Sequence, residues 1–204
     1  VPPERDGSTS HYFDEDPDAP SDPVVVDVSL PDLAFTMETD RGVFAHGQLD
    51  TGTSMLLRSP LPLAATGDVL DLGCGAGPIA LAMARRSPAA RVWAVDVNAR
   101  ARDLCARNAA RNGVDNITVV APDDVPEALR FATIWSNPPI RIGKDALHEL
   151  LLTWLARLTP DGTAALVVQK HLGADSLHRW LETRHFAVRR IGSKAGFRLL
   201  EVRR

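Results

Sequence analysis

Val69-Leu70-Asp71 runs directly into Leu72-Gly73-Cys74-Gly75-Ala76-Gly77-Pro78, which runs into the apolar-periodic stretch Ile79 to Arg86. A short apolar strand, a turn with glycine at every second position and a helix form one strand–turn–helix unit. That unit constrains everything after it. A crossover helix carries the chain back over the sheet, so the next strand pairs parallel to the first. Parallel strands are covered on both faces, so the fold needs helices on both sides.

The downstream chain has this alternation. Arg91 to Asp96 reads as the next strand, and Asn98 can cap a helix that buries Ala101, Leu104, Cys105 and Ala109 and ends at Asn112-Gly113. Ile117 to Val120 and Phe131 to Trp135 read as two further strands. Leu147, Leu150, Leu151, Trp154, Leu155 and Leu158 recur at helical spacing. Thr163 to Gln169 is another strand, and Leu177, Trp180 and Leu181 mark a helix face. Phe186 to Ile191 and Gly196 to Val202 follow each other without an intervening helix, the pattern of an antiparallel closing hairpin. The expected fold is α/β, a mostly parallel sheet with an antiparallel C-terminal edge.

Upstream, Val24–Leu30, Leu33–Glu38 and Gly42–Ala45 read as short strands, a small antiparallel β prelude, and Asp50-Thr51-Gly52-Thr53 leads into a helix over Ser54–Arg58. Residues 1–23, rich in Pro, Asp and Ser, are expected to form an acidic flexible arm. Residues 24–204 are expected to form a single domain, with 24–59 as its prelude. A chain of 204 residues, 45% hydrophobic, is long enough for one full core. No apolar run approaches the ~20 residues of a membrane span. Cys74 and Cys105 make neither a metal cluster nor a disulfide framework, so no metal and a reduced, cytoplasmic setting are expected. The net charge of -3 argues against a protein that coats nucleic acid. Acids crowd the front, however, and Arg184, Arg189, Arg190, Lys194, Arg198, Arg203 and Arg204 crowd the end. That basic end reads either as a local contact to a phosphate backbone or as a solvated face and tail.

The chemistry starts at the glycine turn. Glycines at 73, 75 and 77 remove side chains where backbone approaches a ligand, and the following helix offers free N–H groups to a carboxylate. A dinucleotide fingerprint needs its third glycine at 78, where this chain has Pro78. Asp71 can take an ammonium, Asp96 both hydroxyls of a ribose, and Asp123 an exocyclic adenine amine. An ammonium, a carboxylate, a ribose and an adenine describe S-adenosylmethionine. Cys74, inside the turn, and Val97, beside Asp96, complete the candidate cofactor set. Asn137-Pro138-Pro139 follows a later strand. The lone pair of an exocyclic amine or side-chain amide is delocalised and has to be aimed at the methyl carbon. The Asn137 side-chain oxygen and the Pro138 carbonyl can each accept one N–H of such a nitrogen, while the prolines stiffen the turn.

With these motifs the chain resembles the class I S-adenosylmethionine-dependent methyltransferases of the small-domain group. It looks most like the guanine-N2 methyltransferases of small-subunit ribosomal RNA and their single-domain bacterial relatives. Gly42-Val43-Phe44, Leu49-Asp50-Thr51-Gly52-Thr53, Asp71 to Ile79, Asp96-Val97-Asn98, Asn137 to Lys144, Val168-Gln169-Lys170 and Lys194 to Phe197 carry the resemblance. It implies a seven-stranded Rossmann-like sheet, with the cofactor at the strand C-termini and a flipped guanine against Asn137-Pro138-Pro139. Ribosomal RNA or a ribosomal subunit is the implied partner. Many relatives place an aromatic ring after the two prolines, whereas this chain has Ile140, an apolar contact without a π face. Phe44 and Phe197 are candidate replacements or core residues. Arg141, Lys144 and Lys170 are candidate phosphate contacts near the target base. The competing readings are a glutamine-amide or adenine-N6 methyltransferase, and a non-catalytic cofactor- or RNA-binding assembly factor.

Overall fold

A computed structural model describes residues 20–139 and 142–204. Strands β1 (Val24–Ser29) and β2 (Ala34–Thr39) form an antiparallel hairpin apart from the main sheet. The third expected strand, Gly42–Ala45, is instead a run of turns. Gly42 (φ 76°) and Ala45 (φ 62°) adopt left-handed backbone, which cannot continue a ladder. Helix α1 (Thr51–Leu57) starts three residues earlier than its apolar pattern suggested, because the Asp50 carboxylate caps it by accepting from Thr53 N at 3.0 Å.

The alternating part comprises β3 (Thr66–Leu72), α2 (Pro78–Arg86), β4 (Ala89–Val95), α3 (Ala99–Arg111), β5 (Ile117–Val120), β6 (Phe131–Ser136), α4 (Lys144–Leu155) and β7 (Leu158–Gln169). Helix α5 (Ala174–Thr183) and strands β8 (Ala187–Lys194) and β9 (Phe197–Arg203) close the chain. The seven-stranded sheet has the order β5-β4-β3-β6-β7-β9-β8, with β9 antiparallel to both of its neighbours and the other pairings parallel. This is the Rossmann-like arrangement expected. Among the described residues, no helix is long and apolar enough to cross a membrane.

Alternation along the central strands splits the core between the two faces. Val69, Val92, Ala94, Trp135 and Val167 pack on one side with α1, α2 and the β1–β2 hairpin. Leu70, Leu72, Val95, Ile134 and Leu166 pack on the other with Leu151, Trp154 and Leu155 of α4 and Leu177 and Leu181 of α5. Each fully buried Leu or Ile contributes about 1.5–3 kcal/mol. The hairpin is held to the sheet by Asn108 of α3, which is wholly buried. Its Oδ1 accepts from Glu38 N at 2.7 Å, and its Nδ2 donates to Glu38 O and Ala76 O at 2.8 Å each. A single side chain thus ties β2 to the glycine turn.

The chain goes from β3 to β4 on one side and later to β6 on the other, so the topology switches at β3. Open α/β sheets bind ligands in the crevice beyond the strand C-termini at such a point. Leu72 is in register with Ser136 of β6 and with Val95 of β4, and Val95 with Val120 of β5. Gly73, Asp96 and Asn137 therefore leave the sheet side by side.

Candidate functional site

A cavity of about 480 Å³ opens at these strand ends, lined by Gly73, Gly75, Asp96, Val97 and Pro122 on one side and by Asn137, Pro138, Pro139, Gln169 and Phe197 on the other. Val43, Phe44 and Ala45 also line it. The turn that replaced the third expected strand is thus part of the wall. Asn98 secures this segment by donating from Nδ2 to Gly42 O at 2.8 Å while its Oδ1 caps α3 through Ala101 N at 3.1 Å. Leu72, Val95, Ala101, Asp50, and Leu150 and Trp154 of α4 complete the lining.

The glycines divide by role. A Cβ at Gly73 would meet nothing within 4 Å, and one at Gly75 only Val43 Cγ1 at 4.0 Å. Both border the cavity with positive φ, so the turn offers bare backbone to a ligand. Gly77 differs: a Cβ there would lie 2.6 Å from Cys105 Sγ, so this glycine lets α3 pack against the turn. Cys74 is buried, and a hydrogen bond with Cys105, followed by burial, pushes its thiol well above the ordinary range. It lines a small adjoining pocket rather than the main cavity.

Asp96 Oδ2 accepts from Gly75 N at 2.9 Å and Oδ1 from Asn98 N at 3.0 Å, which holds the carboxylate against the turn at the cavity wall. Burial raises its pKa, and the backbone hydrogen bonds oppose that rise. Asp71 is placed otherwise than the sequence suggested. It is fully buried and absent from the lining, with Oδ2 accepting from Ala80 N at 2.9 Å at the start of α2. Among the described residues Oδ1 has no hydrogen-bond partner, and burial pushes the pKa up to about 8. Asp123 is exposed beside Pro122 and does not line the cavity.

Asn137 sits where β6 ends. Its Nδ2 donates to Asp50 Oδ2 at 2.8 Å and to Thr53 Oγ1 at 3.1 Å, and no hydrogen bond from a described residue reaches its Oδ1. Asp50 thus caps α1 and lines the main cavity, whereas Thr53 lines the small adjoining pocket. Lys144 and Lys170 are exposed at the N-terminus of α4 and just beyond β7. Ile140 and Arg141 lie outside the described residues, as do residues 1–19. The rest of the expected arm, residues 20–23, is docked. Asp40 Oδ2 accepts from Ser21 Oγ at 2.7 Å and Oδ1 from Asp22 N at 2.5 Å, and His46 Nε2 lies 2.7 Å from Asp22 O.

The residues sequence reasoning passed over are Val43, Ala45, Pro122, Gln169, Leu150 and Trp154, all in the cavity wall. Their signal was positional: each follows a strand end or faces one across the crevice. Phe44 (39% exposed) and Phe197 both reach the cavity, so neither is solely a core residue.

A family model described as methyltransferase small domain matches residues 34–201. The chain is 33% identical to the uncharacterised Bacillus subtilis protein YbxB over 96% of this chain and 99% of that one. It is 37% identical to the Pseudomonas aeruginosa ribosomal RNA small subunit methyltransferase C over 80% of this chain, and spans about half (49%) of that protein. Among solved structures, the Thermus thermophilus 16S rRNA N2 G1207 methyltransferase in complex with AdoMet and guanosine superposes with a TM-score of 0.78 at 24% identity. That superposition covers 92% of this chain and 52% of the other.

Proposed function

The chain belongs to the methyltransferase small domain family, and we propose that it methylates guanine N2 in small-subunit ribosomal RNA with S-adenosylmethionine. The Asn137 side chain carries this reading. Its nitrogen donates to Asp50 and Thr53, which leaves its oxygen to accept, and the residue lines the cavity beside the glycine turn. The superposition on a guanine-N2 enzyme and the identity to small-subunit RNA methyltransferases support the substrate.

The donor set suits the cofactor. Gly73 and Gly75 offer bare backbone to the amino-acid end, Asp96 accepts the ribose hydroxyls, and Pro122 and Val97 supply apolar surface for the adenine. Asp71 and Cys74 support the turn from behind, Gly77 admits α3, and Asp123 marks the adenine rim. When bound, S-adenosylmethionine supplies an electrophilic methyl group. Asn137 Oδ1 and the Pro138 carbonyl accept the two N–H groups of the target amine, turning its lone pair toward that methyl and stabilising the charge that develops on nitrogen. Transfer would break the sulfur–methyl bond, with its electron pair returning to sulfur and S-adenosylhomocysteine as the leaving product, and the methylated amine would shed one proton to solvent, so no strong base is required. Pro138 and Pro139 hold the turn in place. Ile140 meets the target base, and Arg141, Lys144 and Lys170 meet phosphates beside it. A stacked target has to flip out, at a cost of about a few kcal/mol.

Transfer of radiolabelled methyl from S-adenosylmethionine to unmethylated 30S subunits tests this, with 50S subunits, free RNA and release-factor protein in parallel. Label recovered as N2-methylguanosine from 30S alone, lost in Asn137→Ala with cofactor binding intact, is the expected result. Label in protein or in adenine moves the activity to another planar nitrogen. Cofactor binding without label in any substrate points to a binding-only role.

A further inference from the structure

We infer that Asp50 is a positioning residue that fixes the Asn137 amide in the one orientation able to accept from a substrate amine; its catalytic consequence rests on the methyl-transfer reading above. A single carboxylate oxygen, Asp50 Oδ2, accepts both from Thr53 N at 3.0 Å and from Asn137 Nδ2 at 2.8 Å. The second Nδ2 hydrogen goes to Thr53 Oγ1 at 3.1 Å. Both donors of the amide are thereby used within the protein, while no hydrogen bond from a described residue reaches Oδ1. A flipped amide would set its carbonyl oxygen against the carboxylate, which has no proton to give. Losing this charge-assisted hydrogen bond disfavours the flip by about 10- to 100-fold.

Neighbouring packing keeps the carboxylate there. A Cβ at residue 52 would lie 3.0 Å from Asp50 Oδ2 and 2.8 Å from the Phe197 ring, so Gly52 leaves room for both. Asp50 and Asn137 are 87 residues apart, and the contact joins the α1 start to the β6 end. The Asp-Thr-Gly-Thr segment is thus more than a helix start. It sets which face Asn137 shows to the cavity.

The test uses the full chain with Asp50→Ser, Asp50→Asn and Thr53→Val. Serine can still cap α1 but is too short to reach Asn137. Asparagine keeps an acceptor for both bonds and drops the charge. The first readout needs no substrate: exchange protection of the Asn137 side-chain NH2 by NMR, its signals identified by their absence in Asn137→Ala. Protection is expected in the wild type and Asp50→Asn and lost in Asp50→Ser; Thr53→Val should expose one N–H. The second readout is methyl transfer to 30S subunits. Asp50→Ser should lower kcat by about 10- to 100-fold with the cofactor KM within about twofold, Asp50→Asn should restore most of it, and Asp50→Ser should add nothing to Asn137→Ala. Unchanged protection in Asp50→Ser, or equal kcat losses in the serine and asparagine variants, overturns the inference. If the wild type leaves 30S unlabelled, the functional reading fails and the amide signals alone decide the role of Asp50. If Asp50→Ser does not fold, Thr53→Val decides: both N–H groups still protected refutes the inference, and one exposed supports it.

Discussion

Asp71→Asn should flatten the stability of this protein between pH 4 and pH 8. The Asp71 carboxyl is wholly buried, and burial raises its pKa from 3.8 to about 8, with the Ala80 N–H opposing and the Asp96 charge adding to the rise. Between those values the folded chain keeps a proton that the unfolded chain has released. Stability then falls as pH rises, by about 1.4 kcal/mol per pH unit and about 6 kcal/mol across the window. It is full below pH 4 and levels off above pH 8. Asparagine mimics the neutral acid: its oxygen can accept from Ala80 N, and nothing remains to titrate. Urea unfolding followed by circular dichroism at pH 5, 6, 7 and 8 gives the free energy of each protein. Other titrating groups cancel in the difference. With the two proteins matched below pH 4, the variant should exceed the wild type by about 1.6 kcal/mol at pH 5 and by several kcal/mol at pH 8. Parallel curves would show that Asp71 is ionised in the fold, and the reading of it as a neutral, buried support for α2 would be wrong.

Gly77→Ala meets both a left-handed backbone (φ 88°) and Cys105 Sγ at 2.6 Å, so it should destabilise by about 2–3 kcal/mol in thermal unfolding, with Cys105→Ala restoring only part. Asn108→Ala removes three hydrogen bonds and leaves buried backbone groups unpaired, a loss of about 2–4 kcal/mol that proteolysis should localise to the β1–β2 hairpin. Burial alone would raise the pKa of Asp40, but hydrogen bonds from Asp22 N, Ser21 Oγ and Arg41 N hold it below the ordinary value. Its contribution is therefore present above the unfolded pKa and lost as pH falls through the folded one, and cleavage near residues 20–23 should accelerate in acid in the wild type but not in Asp40→Asn. Lys170→Glu should weaken binding to 30S RNA uniformly and reduce the salt slope by about 1 while leaving cofactor affinity unchanged.

The alternation after Val69 was legible because a strand–helix rhythm is written in local apolar spacing. Asn98, a cap residue with a single plausible partner, marked the start of α3 correctly. Two features escaped for physical reasons. The expected helix ran to Leu158 and the expected strand began at Thr163, yet β7 starts at Leu158 and takes in Pro160, Asp161 and Gly162, where the pairing with β6 shifts between Phe131 and Thr133. Gly162 fits because a Cβ there would sit 2.9 Å from Phe131 O. A bulge uses the same residues as a turn, so composition cannot separate them. Residues 42–45 alternate like a strand, but their place is set by Asn98 and by packing of Val43 with Ala76, Ala101 and Leu104, contacts that spacing does not encode. Within the site, residues that act through backbone position were easiest to find. The Asp50 link to Asn137 was not, since nothing local relates residues 87 positions apart.

The two sides of the cavity are consequently held by different means. The glycine-turn side rests on main chain: Gly73 N and Cys74 N both donate to Val95 O, at 2.8 and 3.0 Å, and the register of β3 with β4 brings Asp96 to the turn. The Asn137 side rests on side chains, since its amide donates to Asp50 and Thr53 at the start of α1, an element outside the sheet. Main-chain ladders tolerate side-chain replacement, whereas an amide aimed by two acceptors does not. Damage to α1 should therefore separate cofactor binding, which persists, from methyl transfer, which falls. If both fell together in Thr53→Val, cofactor and substrate sides would share a support that these contacts do not contain.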